Sequence, residues 1–150
     1  MTEAAAAFSK ARILIVDDNR MGLVARKHVL EEVGHEVSIA QSAHDALARF
    51  RSEPYDVVVT DFKMPQMTGV DLIRDMRAVN PEVPIVLISG FTDALGLDEE
   101  TTGADAVIQK SHSEVQTLVR TVTRLLNRAK KKPPKKQPPS APPNARRRGS

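Results

Sequence analysis

An α/β domain on a five-stranded, parallel, doubly wound sheet is the fold this chain predicts, and three features carry that expectation. Short runs of β-branched and aliphatic residues alternate with stretches of helical periodicity, the pattern of βα repeats. Four of those five runs are apolar at every position, as strands covered by helices on both faces must be. The 150 residues are 41% hydrophobic and 27% charged, an ordinary globular composition at a length that suits one domain.

Taken in order, residues 1–11 are expected to be a frayed leader. Ala4–Phe8 is too short for a secretory core, and Glu3 stands where a basic segment belongs. Ile13–Val16 is the first strand, and the helix after it, Arg20 to Val33, stops at Gly34. Val37–Ala40 is the second strand. Ser42 then caps a helix whose apolar stripe is Ala43, Ala46, Leu47 and Phe50. Val57–Val59 is the third strand, followed by a helix from Val70 to Val79 that ends before Asn80–Pro81. Ile85–Ile88 is the fourth. Thr92–Thr102 is expected to be a short, weak helix, because Gly96 interrupts it and only Ala94, Leu95 and Leu97 form its apolar face. Ala106–Ile108 is the fifth strand, and Val115, Leu118, Val119, Val122, Leu125 and Leu126 stripe the last helix. The domain is expected over 12–127.

The net charge of +3 hides a division within the chain. Residues 128–150 carry nine basic side chains, no acidic ones and six of the ten prolines, which leaves residues 1–127 at a net −6. Such a segment buries too little apolar surface to offset chain entropy, so 128–150 is expected to be a disordered, basic, Pro-rich tail that contacts polyanions non-specifically. No run approaches the roughly 18 apolar residues of a membrane span. The absence of cysteine excludes disulfides, thiolate metal sites and Cys nucleophiles, and suits a cytoplasmic location.

In an open parallel sheet the ligand crevice lies beyond the carboxyl ends of the strands. Right-handed crossovers put those ends on one edge, where Asp17 and Asp18, Asp61, Ser89 and Lys110 all fall. Taken singly, each has an ordinary role: a helix cap, an Asx-turn residue, a loop hydroxyl, a strand-end cation. Jointly they build a site. Three carboxylates so close cannot all stay ionised without a counter-charge, and hard oxygen donors without nearby His or Cys favour Mg²⁺. Lys110 and Ser89 are then left to bind the oxygens of a phosphoryl group. The assembly suits phosphoryl transfer, with a carboxylate able to act as nucleophile.

These residues resemble the receiver domain of bacterial two-component response regulators over roughly Arg12 to Asn127. Asp17–Asp18 is similar to that family's acidic pair, and Asp61 in Val-Val-Thr-Asp-Phe-Lys-Met-Pro to its phosphoacceptor. Met64–Pro65 and Gly69 match the loop that follows, Ser89–Gly90 the switch hydroxyl with its small neighbour, and Lys110 the lysine. The resemblance implies a flavodoxin-like strand order 2-1-3-4-5 and Mg²⁺ held by Asp18, Asp61 and the Lys63 carbonyl, with Asp17 reaching it through water. It further implies a signalling protein, not an enzyme, that assists only its own phosphorylation and dephosphorylation. By the same resemblance the phosphoryl donor is expected to be a sensor histidine kinase or histidine phosphotransfer protein, and the output contact with another, unidentified protein.

Three positions depart from the family pattern. Ser111 replaces the customary proline after the lysine, Val107 stands where an aromatic ring commonly switches, and Lys63 sits two residues past Asp61. Lys63 also argues against a dehalogenase-type phosphohydrolase, which needs an acid at that position. Asp17-Asp18-Asn19 replaces the glycine-rich loop of nucleotide-binding folds. The alternatives that remain are a receiver-like scaffold working without phosphorylation, and a receiver excised from a hybrid kinase; Met1 and the biased tail favour a stand-alone protein. His28, His35, His44 and His112 show no ligand spacing and are assigned surface or packing roles.

Overall fold

The computed structural model describes residues 10–90 and 95–131. Five strands form, β1 (Arg12–Val16), β2 (Glu36–Ala40), β3 (Val57–Asp61), β4 (Ile85–Ser89) and β5 (Ala106–Gln109). They make one parallel sheet in the order β2-β1-β3-β4-β5, as expected. Between and after them lie α1 (Arg20–Val33), α2 (Ala43–Ser52), α3 (Gly69–Val79), α4 (Glu99–Thr102) and α5 (Glu114–Lys131).

Strand alternation divides the core in two. Ile13, Ile15, Val57, Val59, Ala106 and Ile108 pack with Leu23 and Leu30 of α1 and Leu118, Val122 and Leu125 of α5. Leu14, Val16, Val58, Ile85 and Leu87 face the other way, onto Ala46, Leu47 and Phe50 of α2 and Leu72, Ile73 and Met76 of α3. Burying one such aliphatic side chain stabilises by about 1.5–3 kcal/mol. The two layers thus fix the sheet from both sides, and the ends of the strands with it.

Local chemistry sets the helix bounds. Asn19 caps α1, accepting from the amides of Met21 and Gly22, and Gly34 closes it in the left-handed region at φ 115°. Thr68 and Asp71 form a reciprocal capping box at the start of α3.

The weak helix expected over Thr92–Thr102 is shorter in the structure. Gly96 adopts φ 64°, and a fresh N-cap at Asp98 starts the four-residue α4, which Gly103 ends at φ 83°; residues 92–94 of that expectation lie outside the described residues. At the amino end Ala11 is not frayed: it is buried, and its carbonyl accepts from Glu36 while its amide donates to His35 Nδ1. His35 is thereby a packing residue, and burial lowers its pKa. At the other end α5 runs past Asn127 to Lys131, because Arg128, Ala129, Lys130 and Lys131 are all strong helix formers and the first helix-breaking residue is Pro133. Residues 1–9 of the leader and 132–150 of the tail lie outside the described residues.

Candidate functional site

Strand ladders place the site. Asp61 and Ser89 are the last residues of β3 and β4, held in register by the pairs Asp61↔Ile88 and Ser89↔Gln109. The amide of Lys110 donates to the Ser89 carbonyl at 2.9 Å, which continues the β5 edge to the lysine. Asp17 continues the face of Ile13 and Ile15, Asp61 that of Val57 and Val59, and Lys110 that of Ala106 and Ile108. All three side chains therefore emerge on the α1/α5 side of the sheet edge. A cleft of about 640 Å³ lies there, lined by Asp17, Asp18, Asp61, Lys63, Ser89 and Lys110 together with Asn19, Met64, Pro65 and Gly90. Every residue expected at the site reaches it.

Within the cleft, carboxylate oxygens of Asp17, Asp18 and Asp61 lie within 4.8 Å of one another. Asp17, Asp61 and Ser89 are buried, while Asp18 is exposed. Lys110 Nζ stands 2.8 Å from Asp61 Oδ1. That oxygen is fully buried, with the ammonium as its ion-pair partner. Burial pushes the Asp61 carboxyl above its ordinary pKa and the negative charge of Asp17 adds to the rise, while Lys110 and Arg26 oppose it.

Arg26 and Glu114 are site residues that the sequence reading missed. Arg26 Nη1 donates to Asp17 Oδ2 and its Nε to Glu114 Oε2, both at 2.7 Å. Burial works against the guanidinium charge, but the hydrogen bonds to Asp17 and Glu114 outweigh it and raise the pKa. Asp17 Oδ1 accepts from the Asn19 amide at 2.9 Å, so both its oxygens are engaged. The signal was present: Leu23, Arg26 and Leu30 are the buried residues of α1, at i, i+3 and i+7, which puts a cation on an apolar stripe.

Residues 13–123 match the response regulator receiver domain. The chain belongs to that family. Its structure superimposes on a CheY-like receiver domain protein from Methanospirillum hungatei with a TM-score of 0.73 at 30% identity, covering 82% of this chain and 98% of that one. It is also similar to the TrrA response regulator of Thermotoga maritima, solved in complex with Mg²⁺-BeF, at a TM-score of 0.70 and 30% identity over 78% of this chain and 99% of that one. Among sequences, it is 35% identical over 83 residues to the transcriptional regulatory protein ZraR of Salmonella typhimurium, covering 55% of this chain and 19% of the relative. A response regulator receiver protein of Anaeromyxobacter is 37% identical over 86 residues, 56% of this chain and 36% of the relative. This chain thus spans a minor part of the length of those two relatives.

The receiver domain's acidic cluster fits a divalent cation. Three carboxylates converge within 4.8 Å, and the buried Asp61 Oδ1 meets no polar group but the Lys110 ammonium among the described contacts. Oxygen donors of this kind suit Mg²⁺. The loop after β3 is shaped around Gly69, whose amide donates to the Phe62 carbonyl at 2.7 Å; a Cβ there would overlap the Asp61 carbonyl oxygen. In the same loop Gln66 takes the left-handed φ of 75°, a conformation uncommon for a residue with a side chain.

Two of the family departures acquire a structural role. Every described peptide bond is trans, including Lys110–Ser111. Ser111 instead leads into α5: its hydroxyl accepts from the Ser113 amide at 3.2 Å and its carbonyl from the Glu114 amide at 3.1 Å. Val107 packs half-buried against the α2/α3 core. Among the described residues, no helix is long and apolar enough to cross a membrane.

Proposed function

We propose that Asp61 is the phosphoacceptor of a two-component phosphorelay, taking its phosphoryl group from a histidine kinase or a histidine phosphotransfer protein. The observation that carries this reading is the buried Asp61 Oδ1 at the floor of an acidic cleft, 2.8 Å from the Lys110 ammonium. In the transfer, an Asp61 oxygen attacks phosphorus, the bond from phosphorus to the donor imidazole nitrogen breaks, and the imidazole leaves with the electron pair. Lys110 offsets the charge that builds on the transferred group, and the Ser89 hydroxyl donates to one of its oxygens. Such chemistry is mainly positioning and charge neutralisation.

Asp18, Asp61 and the Lys63 carbonyl would hold Mg²⁺, with Asp17 in support; that both Asp17 oxygens already accept hydrogen bonds favours its secondary role. The ion's contribution is to neutralise negative charge on the phosphoryl oxygens. The protein signals through contact with an output partner and is not an enzyme in its own right. We place it in the cytoplasm, with the receiver unit running from Ala11 to the end of α5 at Lys131 and the basic, Pro-rich segment that follows as an arm that adds non-specific affinity for polyanions.

Incubation with acetyl phosphate and Mg²⁺, followed by intact-mass measurement, tests the central claim. One phosphoryl mass should be added, and Asp61→Ala should abolish it. A wild-type chain that stays unmodified at high donor and Mg²⁺ would instead support a scaffold that works without phosphorylation.

A further inference from the structure

Two buried links meet at Arg26. One reaches Asp17 at the sheet edge and the other Glu114, the first residue of α5. The Arg26 side chain retains 4% of its exposure and takes a core position between Leu23 and Leu30. An ion pair moved out of water regains through attraction little more than it lost in hydration, so an apolar residue would serve stability as well. Helix α1 makes a second concession at Gly22, where a Cβ would stand 3.0 Å from Asp17 Oδ2 and 3.4 Å from Arg26 Nη1. Glycine inside a helix is destabilising relative to alanine. Packing explains neither concession, whereas a requirement for a cation beside Asp17 explains both.

We propose that Arg26 is a positioning residue of the acidic site, a resident counter-cation that holds Asp17, competes with a divalent cation for the cluster's negative charge, and carries that competition to the first turn of α5 through Glu114. This rests on the reading of Asp17, Asp18 and Asp61 as a cation site. Against the carboxylates of Asp17, Asp18, Asp61 and Glu114 stand Arg26, Lys110 and the cleft-lining Lys63, which leaves one net negative charge. Replacing Arg26 by a neutral residue returns a negative charge to the cluster. Neutralising Glu114 does the opposite, because the whole guanidinium charge then acts on Asp17. The two substitutions should therefore move cation affinity in opposite directions, whereas mere loss of packing would weaken the site in both.

Calorimetric titration of the full chain with MgCl₂ is the test. Arg26→Met should tighten Mg²⁺ binding about tenfold and Glu114→Gln should weaken it about threefold, the signs Coulomb's law gives for charges near a partly screened site. In the wild type, Mg²⁺ should shift the amide resonances of both Asn19 and Glu114; in Arg26→Met only the Asn19 shift should persist. Unchanged or weaker Mg²⁺ binding by folded Arg26→Met overturns the proposal, as does unchanged or tighter binding by Glu114→Gln, which decides alone if the methionine variant fails to fold. A wild type that binds no Mg²⁺ removes the cation-site reading itself, and this proposal with it.

Discussion

Lys110 Nζ stands 2.8 Å from Asp61 Oδ1, joining the ends of β5 and β3 across the intervening β4. The lysine is half-exposed and the aspartate buried, so the pair places its carboxylate inside and its cation at the rim. Lys110 thereby opposes the rise in pKa that burial imposes on Asp61.

Lys110→Met should accordingly raise the Asp61 pKa further above the ordinary carboxylate range, since burial remains and the opposing cation is gone. Carbon-detected NMR titration of the Asp61 carboxyl reads this directly. Phosphoryl uptake from acetyl phosphate should fall by about tenfold, the loss of about 1.4 kcal/mol expected for one charge-assisted contact. An unaltered titration curve would show that the ion pair does not govern Asp61.

Asp61→Asn should raise thermal stability at neutral pH in metal-free buffer. A carboxyl whose folded pKa is raised contributes stability that is complete below its unfolded pKa and is lost as pH rises through the folded one. Burial raises the Asp61 pKa, so its ionised form is a cost at pH 7 that the amide lacks. Melting curves by circular dichroism across acid to neutral pH should show the two proteins converging in acid and separating as pH rises. A less stable Asn variant at neutral pH contradicts the assignment.

Asp18→Asn should be slightly more stable than the wild type without metal and should lose most of the stabilisation that Mg²⁺ confers. Asp18 is exposed, so little desolvation is relieved and the gain comes from weaker repulsion within the cluster. Binding to the native state alone stabilises by mass action. Equal Mg²⁺-induced shifts in melting temperature for both proteins would remove Asp18 from the ligand set.

Gly69→Ala should cost about 1–3 kcal/mol in urea denaturation, the range for overpacking a close-packed site. The added Cβ would overlap the Asp61 carbonyl oxygen and meet Leu87 Cδ1 at 2.8 Å, and the first of these belongs to the backbone of Asp61 itself. Phosphoryl uptake should drop with stability. Wild-type behaviour on both counts would mean that the loop can shift without disturbing Asp61.

By itself the sequence determined the sheet, its strands and the five residues at their carboxyl ends. A strand is encoded locally, by short apolar β-branched runs, and right-handed parallel connection then brings the ends to one edge whatever the details of packing. That is why Asp17, Asp18, Asp61, Ser89 and Lys110 were legible as one cluster, and why a counter-charge was required of them. Only the tertiary structure decided that part of that charge comes from the protein. Arg26 and Glu114 are 88 positions apart, and no local pattern pairs them; they meet because α1 and α5 pack on the same face of the sheet. The break at Gly96 and the extension of α5 to Lys131 were likewise settled locally but narrowly, where propensity differences of a few tenths to about 1 kcal/mol per residue set a boundary. Side-chain partners drawn from separate helices depend on how those helices settle against a common sheet, and the energy that fixes this is spread over the whole core.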